Sequence, residues 1–227
     1  MEEELKTGNQ FEGKEEYIKD VFTEIAEYYD EMNEIMSMHM VQKWHRFMMK
    51  KAGDIHGKKC IDVGTGTGAI VLSLAKEYGG EATFLGTDVS EDAVAIAREN
   101  AERCSLADRV GFAVMDGLDD FDEPQCVDAI VSNPPYIESA AVAALDPRVR
   151  DFEPRIALDG GAAGLDFYER YLADALNLLK ASGAVFFEIG DTQGEAVRRM
   201  MESYGFGDIR IAKDLSGRDR YASATLT

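Results

Sequence analysis

From residue 58 onward, apolar runs of strand length alternate with stretches in which apolar residues recur every three or four positions. The strand-length runs are 58–63, 82–89, 109–116, 128–133 and 183–190, and a closing pair follows at 208–213 and 221–227. Helical spacing fills 68–78, 91–104, 165–180 and 194–204. This alternation predicts an α/β fold, a mostly parallel sheet of six or seven strands with helices on both faces. Local chemistry agrees with the boundaries. Gly79 and Gly80 stop the first helix, and Ser90 is placed to cap the second, with Glu91 and Asp92 suiting its dipole. The segment 216–220, SGRDR, reads as a hairpin connection. A long segment rich in Pro, Gly and charge, 134–164, interrupts the rhythm, and loops of that length in a compact domain are usually functional or disordered.

Residues 14–52 carry no strand signal. Ile18, Val21, Phe22, Ile25, Tyr28, Tyr29, Met32, Ile35 and Met36 recur at helical steps and predict an amphipathic helix. A second apolar cluster, Met38, Met40, Trp44, Phe47 and Met48, predicts a break at Ser37 and a further short helix before Gly53. The expectation is a helical layer packed on the core, and a lid over a site would use the same residues. The chain therefore divides into a helical segment, 1–57, and an α/β domain, 58–227. Neither an internal repeat nor a linker marks a second domain.

Composition narrows the classes. A chain of 227 residues, 45% hydrophobic and 30% charged, can bury a substantial core, which excludes disorder. No apolar stretch approaches the roughly 18 residues of a membrane span, and the acidic start MEEEL lacks the features of a signal peptide. A cytoplasmic protein is expected. Cys60, Cys104 and Cys126 are widely spaced and contain no CxxC pair, so reduced, mostly buried thiols are expected rather than disulfides or zinc. His39, His45 and His56 have no metal-site spacing, so no metal is expected. The formal charge of −19, from 43 acidic and 24 basic side chains, repels phosphate backbones and argues against nucleic-acid binding.

The candidate chemistry begins at the first strand. CIDVGTGTGAIV places Gly64, Gly66 and Gly68 between a strand and its helix, where glycines allow a tight turn and close approach to a ligand. Such a turn serves dinucleotides and S-adenosylmethionine alike. Asp88 ends the second strand, where a carboxylate can accept bonds from ribose hydroxyls, and Asp116 ends the third, where it can face an adenine. Either Asp alone could be a mere cap or turn residue. Placed together with the glycines at carboxyl ends of successive strands, they point to an adenosine-bearing ligand.

The fourth strand ends in Asn133-Pro134-Pro135-Tyr136. A residue before proline is held extended, so the Asn133 side chain and the Pro134 carbonyl can both be presented at the strand end. An amide or exocyclic NH2 has two hydrogens and a delocalised, weakly nucleophilic lone pair. Two acceptors can hold those hydrogens and aim the nitrogen at a methyl sulfonium, and positioning of this kind removes several kcal/mol from a barrier. Tyr136 could stack on the planar amide or base. The bland alternative is a proline turn with a surface tyrosine.

GTGTG, TDVS and NPPY together resemble the class I S-adenosylmethionine-dependent methyltransferases of the N-methylating branch, with their Rossmann-like, mostly parallel seven-stranded sheet and antiparallel last strand. Over about residues 58–227 the chain is more closely similar to the HemK/PrmC family, carried by NPPYI, DPRVRDFEPRIALDGGAAGLDFYERYL, FFEIGDTQGEAV and GFGDIRIAKDLSGRDRYASA. That family comprises protein-(glutamine-N5) methyltransferases acting on the GGQ motif of peptide chain release factors. The resemblance implies S-adenosyl-L-methionine as cofactor, S-adenosyl-L-homocysteine as product and a release factor as protein partner. It implies cofactor binding by Asp62, Gly64, Thr65, Gly66, Gly68, Asp88, Val89, Asp116, Gly117 and Asn133. Catalysis and substrate binding fall to Asn133, Pro134 and Tyr136, with Pro135, Glu153 and Arg155 shaping the substrate pocket, although Glu153 and Arg155 could equally be loop ion pairs.

The front of the chain departs from that family, because residues 1–57 do not look like its small release-factor-binding domain. Residues 21–47 instead resemble the opening of the UbiE/MenG quinone C-methyltransferases, at Tyr29, Asp30, Met32, Asn33, Ser37 and Trp44. Three alternatives to glutamine methylation follow: C-methylation of a demethylated quinone, N6-methylation of adenine in nucleic acid, and a domain that binds cofactor without acting on a protein. The quinone reaction has no clear use for NPPY, and the acidic charge disfavours the nucleic acid. The acidic run Asp119, Asp120, Asp122 and Glu123 reads as a solvated turn.

Overall fold

The computed structural model describes residues 57–78, 81–119, 121 and 123–227. The expected N-terminal helices and His39, His45 and His56 lie outside the described residues. Seven strands and four longer helices follow one another as β1 (Lys59–Val63), α1 (Ala69–Glu77), β2 (Thr83–Asp88), α2 (Glu91–Arg103), β3 (Val110–Val114), β4 (Val127–Ser132), α3 (Asp166–Leu178), β5 (Leu179–Glu188), α4 (Gly194–Ser203), β6 (Phe206–Lys213) and β7 (Asp219–Leu226). They form one sheet in the order β3-β2-β1-β4-β5-β7-β6. Every pairing from β3 across to β5 is parallel, and β7 runs antiparallel to both β5 and β6. The mostly parallel seven-stranded sheet with an antiparallel last strand is thus the architecture of this chain.

Strand order dictates where a ligand can sit. The connections through α1 and α2 step from β1 toward β3, whereas those through α3 and α4 step from β4 toward β6. Right-handed crossovers in opposite directions put the two helix pairs on opposite faces. Helices α3 and α4 bury Tyr168, Leu172, Ala175, Val197 and Met201 against Ile61, Val63, Ile130, Val185 and Phe187 of the sheet. Helices α1 and α2 bury Val71, Leu72, Leu74, Val94 and Ala97. The reversal falls between β1 and β4, and the crevice outside the carboxyl ends of such strands is where open α/β sheets bind ligands.

Local signals explain most boundaries. Ser90 caps α2, its hydroxyl accepting from the amide of Ala93 at 3.2 Å. The α3 to β5 boundary differs from expectation. The helix ends at Leu178 and Leu179 already pairs with Val127, after which the ladder resumes only at Ala184 opposite Ala129. Residues 180–183 are accommodated as a bulge with Ser182 at φ 64°, an arrangement that hydrophobic spacing does not encode. The segment 134–164 is folded, with short helical turns at Ser139–Val142, Pro147–Arg150 and Arg155–Ala157. The thiols also depart from expectation. Cys104 caps the C-terminus of α2 and is exposed, and Cys60 and Cys126 are half-buried, because each sits at an element end rather than mid-core.

The C-terminus of α1 is closed from a distance. Arg109, just before β3, donates from Nη1 to the carbonyl of Ala75 and from Nη2 to that of Tyr78, with its guanidinium 5.9 Å from the centre of the Phe84 ring. Replacing Arg109 with Met keeps the stem and removes both donors. Because orphaned carbonyls cost about 1–3 kcal/mol, Arg109→Met is expected to lower the urea unfolding free energy by that amount. An unchanged midpoint and slope would show that water replaces the guanidinium at no cost.

Candidate active site

Pairing register assembles the site. Val63 stands opposite Ser132 on β4 and opposite Thr87 on β2, while Ser132 also stands opposite Phe187 on β5. The next residues along these four strands are therefore Gly64, Asp88, Asn133 and Glu188, brought together at the carboxyl ends of the strands. Ser132, fully buried, fixes the central pair by donating from its hydroxyl to the Val63 carbonyl at 2.6 Å.

The glycine turn is held from both sides. The Asp88 carboxylate accepts from the Gly66 amide through Oδ2 and from the Ser90 amide through Oδ1, each at 2.9 Å. Thr65 donates from its amide to the Thr87 carbonyl at 2.8 Å and from its hydroxyl to Oδ2 of Asp62 at 2.7 Å. The three glycines have left-handed φ but differ in surroundings. A Cβ at Gly68 would touch Leu72 and Ala97, so this glycine brings α1 against α2, whereas a Cβ at Gly64 or Gly66 would point into open space. Gly86, which sequence reading passed over, is constrained more tightly than any of them, since its Cβ would lie 2.8 Å from both the Phe112 ring and the Thr65 hydroxyl. Its signal was a lone glycine inside a strand.

Beyond β4, Asn133 is exposed and Pro134 buried. Neither the Asn133 side-chain amide nor the Pro134 carbonyl hydrogen-bonds to a described residue, whereas the carbonyls of Tyr136 and Ile137 are committed. Tyr136 accepts from the Gln193 side-chain amide at 2.9 Å and Ile137 from the Gly160 amide at 2.8 Å. A single parallel bridge, Ile137 to Asp159, lays the DGGAAG stretch 159–164 along the strand exit. Contact there is close enough that a Cβ at Gly160 would come within 2.6 Å of the Pro135 carbonyl oxygen. The Tyr136 hydroxyl lies 3.5 Å from Oε1 of Glu188 and accepts from Nη1 of Arg220 at 3.3 Å, and Arg220 also pairs with Glu188 at 3.8 Å. Burial raises the Glu188 carboxyl above its ordinary value, with Arg220 opposing, and burial likewise raises the Tyr136 phenol.

The remaining sequence candidates differ in their partners. The Asp116 carboxylate is paired with Arg170 of α3 at 2.7 Å, and the same guanidinium takes the Asp116 carbonyl and the Asp119 carboxylate. Asp119 is thus part of a cross-loop pair and not simply solvated. Arg170 was invisible to sequence reasoning because it lies 54 residues away. Arg155 pairs with Asp159 at 2.9 Å and not with Glu153, and Asp159 further accepts from the Ser139 hydroxyl and the Gly161 amide. Glu153 is exposed and pairs with no described residue. Gly117 is buried, its φ of 67° placing its carbonyl 3.3 Å from the Thr87 hydroxyl. Val89 follows Asp88 and stands 48% exposed, an apolar surface at the lip of the crevice.

Comparison with known proteins follows this geometry. The family model described as the ubiE/COQ5 methyltransferase family matches residues 10–131, more than half of the chain. The chain belongs to the ubiE/COQ5 methyltransferase family. That match covers the front segment whose resemblance was read from sequence, and it ends two residues before Asn133. The chain is also 41% identical across 166 residues to a release factor glutamine methyltransferase of Cereibacter sphaeroides, covering 73% of this chain and 59% of the relative. The protein of the same name from Moorella thermoacetica is 44% identical over 160 residues, covering 70% and 56%. This chain thus spans little more than half the length of the curated relatives it matches. Among solved structures, an S-adenosylmethionine-dependent O-methyltransferase from Thermotoga maritima superposes with a TM-score of 0.60 at 18% identity, covering 81% of this chain and 64% of that one. A methyltransferase from Methanococcus maripaludis gives 0.57 at 16% identity, covering 89% and 92%. These establish the fold.

The crevice fits the cofactor of such methyltransferases on two observations. Gly64 and Gly66 leave space a side chain would fill, and Asp62 is buried with its Oδ1 unpaired. Burial pushes the Asp62 carboxyl up from 3.8 to about 7, with the Thr65 hydroxyl opposing. The folded protein therefore retains a proton that the unfolded chain releases above about pH 4, and stability falls as pH rises between 3.8 and about 7. In Asp62→Asn that component is absent. The difference in unfolding free energy, native minus variant, is expected to drop by on the order of 4 kcal/mol between pH 4 and pH 8 in the cofactor-free protein. A difference independent of pH would mean that Asp62 ionises normally.

Proposed function

We propose that the protein transfers a methyl group from S-adenosyl-L-methionine to the side-chain amide nitrogen of a protein glutamine, that of the GGQ motif in a peptide chain release factor. The observation that carries this reading is the pair of uncommitted acceptors, Asn133 and Pro134, one register step from the glycine turn. The names of the relatives that share 41% and 44% identity support the same acceptor.

Bound S-adenosyl-L-methionine supplies an electrophilic methyl on a sulfonium and leaves as S-adenosyl-L-homocysteine. Asp62, Gly64, Thr65, Gly66, Gly68, Asp88, Val89, Asp116, Gly117 and Asn133 form its binding set. Both Asp88 oxygens already hold backbone amides, and each keeps a lone pair with which to accept from ribose hydroxyls. Asp62 offers its unpaired oxygen to a cationic group. On the acceptor side, Asn133 Oδ1 and the Pro134 carbonyl accept the two amide hydrogens, which turns the nitrogen lone pair toward the crevice. Tyr136, tethered through its hydroxyl, packs beside the amide. The N–CH3 bond forms as the S–CH3 bond breaks, and the N-protonated amide that results is acidic enough to release one of its two hydrogens to water, so no strong base is needed and the two fixed acceptors act by preorganised geometry. Glu153, Arg155 and Pro135 border the substrate. Residues 58–227 act as the catalytic domain of a cytoplasmic protein whose charge of −19 favours a protein acceptor over nucleic acid. No described helix is long and apolar enough to cross a membrane.

A second reading, C-methylation of a demethylated quinone, is favoured by the family match over 10–131. Incubation with labelled cofactor and, in turn, a GGQ-containing release factor, a demethylated quinone and an adenine-containing duplex separates the readings by mass spectrometry. Label is expected on the glutamine amide, and label on quinone carbon alone overturns the proposal. Asn133→Ala is expected to cut transfer by roughly 100-fold or more with a far smaller loss of cofactor affinity, because Asn133 is one of several residues in the cofactor set but one of only two proposed acceptors for the substrate amide. Full activity in that variant would remove Asn133 from the mechanism.

A further inference from the structure

Gln193 occupies the N-cap position of α4, where Ser, Thr, Asp or Asn would normally cap the helix, yet its side chain makes no capping bond. Instead it is almost fully buried, 9% exposed, and every hydrogen-bonding position of its amide points elsewhere. Nε2 donates to the Tyr136 carbonyl at 2.9 Å and to the Gly164 carbonyl at 3.0 Å. Oε1 accepts from the Gly190 amide at 2.9 Å and lies 3.3 Å from the Tyr168 hydroxyl, whose single hydrogen has the Glu188 carbonyl as its nearer acceptor at 3.0 Å. One side chain thus joins the NPPY exit, the DGGAAG stretch, the end of β5 and α3. Space is shaped to it as well. A Cβ at Gly164 would lie 2.3 Å from the Tyr136 carbonyl oxygen and 2.7 Å from Nε2, and a Cβ at Gly190 would lie 2.8 Å from Oε1.

We infer that Gln193 is a positioning residue, a clamp on the Tyr136 carbonyl that fixes where the Asn133 and Pro134 acceptors point. The inference rests on the proposed N-methyl transfer for its kinetic consequence, though not for its structural one. The backbone from Asn133 to Tyr136 leaves the sheet with no ladder partner of its own, and its orientation is set at two places. Upstream, Ser132 bonds to Val63. Downstream, Gln193 holds Tyr136 and the adjoining Ile137–Gly160 bond is stacked beside it. An uncharged amide serves both ends of this clamp, because the Tyr136 and Gly164 carbonyls need donors while the Gly190 N–H needs an acceptor. A carboxylate would face the Tyr136 and Gly164 carbonyls with negative oxygen, and a thioether would leave them bare.

Gln193→Met and Gln193→Glu test this, each characterised in the full chain by thermal unfolding, cofactor titration, hydrogen exchange and methyl transfer to a GGQ-containing release factor. The clamp predicts that Gln193→Met keeps cofactor affinity within about twofold, with faster exchange confined to the amides of Ile137, Gly160 and Gly190. It also predicts a kcat lower by roughly 100-fold, the effect of a misplacement near 1 Å at the reacting atoms, with KM for the release factor changed far less. Gln193→Glu is expected to be equally impaired at pH 8 and to regain activity relative to native as pH falls and the carboxyl gains a proton. Native kcat in a folded Gln193→Met, or exchange that rises evenly across the sheet, overturns the clamp. If the native protein leaves the release factor unmodified, the proposed function fails instead, and the local exchange pattern still decides the clamp.

Discussion

The parallel register between β1 and β4 is the constraint on which the rest depends. Because Val63 pairs with Ser132, the glycine turn and the Asn-Pro-Pro-Tyr exit leave the sheet as neighbours, and a slip of one residue would reverse the faces of both strands. Ladder bonds alone set that register to within the ordinary tolerance of a sheet. The buried hydroxyl of Ser132, bonded to the Val63 carbonyl, pins it at the point where the two strands end. The topology contributes the other half. Crossovers depart in opposite directions from this pair, so neither of the two described helix pairs covers the edge between them and a crevice opens there.

Around that pair, polar groups are spent in two different ways. On the glycine side the backbone is held by carboxylates, Asp88 binding two amides and Asp62 binding Thr65, which leaves negative and apolar groups facing the crevice. On the NPPY side the backbone is held by donors from outside, chiefly Gln193, and the upstream acceptors are left unused. A methyl donor carrying positive charge suits the first environment, and an amide with two hydrogens suits the second. The Tyr136, Glu188 and Arg220 group forms the wall between the exit and β7, and the pairing of Arg220 with Glu188 keeps a raised carboxyl from being an isolated buried charge.

Most of the fold was legible in the sequence, because strand-length apolar runs and helical spacing alternate without ambiguity and Ser90 announces α2. What was not legible depends on distance. Arg109 closing α1, Arg170 gripping Asp116 and Gln193 gripping Tyr136 join residues 31 to 57 positions apart, and no periodicity records such pairs. The bulge at residues 180–183 escaped notice because Lys-Ala-Ser-Gly carries the signature of an ordinary helix-to-strand turn. The site was legible as a set of strand ends rather than as a set of contacts. Asp88 sits where expected but also props up the turn, Asp116 is engaged by a side chain that sequence did not suggest, and Arg155 pairs with Asp159 through the i,i+4 geometry of its own turn.

The two family resemblances share about residues 58–131 and part at the fourth strand. The ubiE/COQ5 family match ends at residue 131, two residues before Asn133, where the proposed acceptor-binding residues begin. The acceptor should therefore be decided by the strand exit rather than by the part of the chain that carries the family match. The most direct measurement is nuclear magnetic resonance of a release factor carrying 15N in its glutamine side-chain amides, treated with the protein and cofactor labelled with 13C in the methyl group. A one-bond 13C–15N coupling on the GGQ glutamine is the predicted result. Absence of that coupling, with the 13C methyl recovered on the ring carbon of a quinone offered in parallel, would contradict the account.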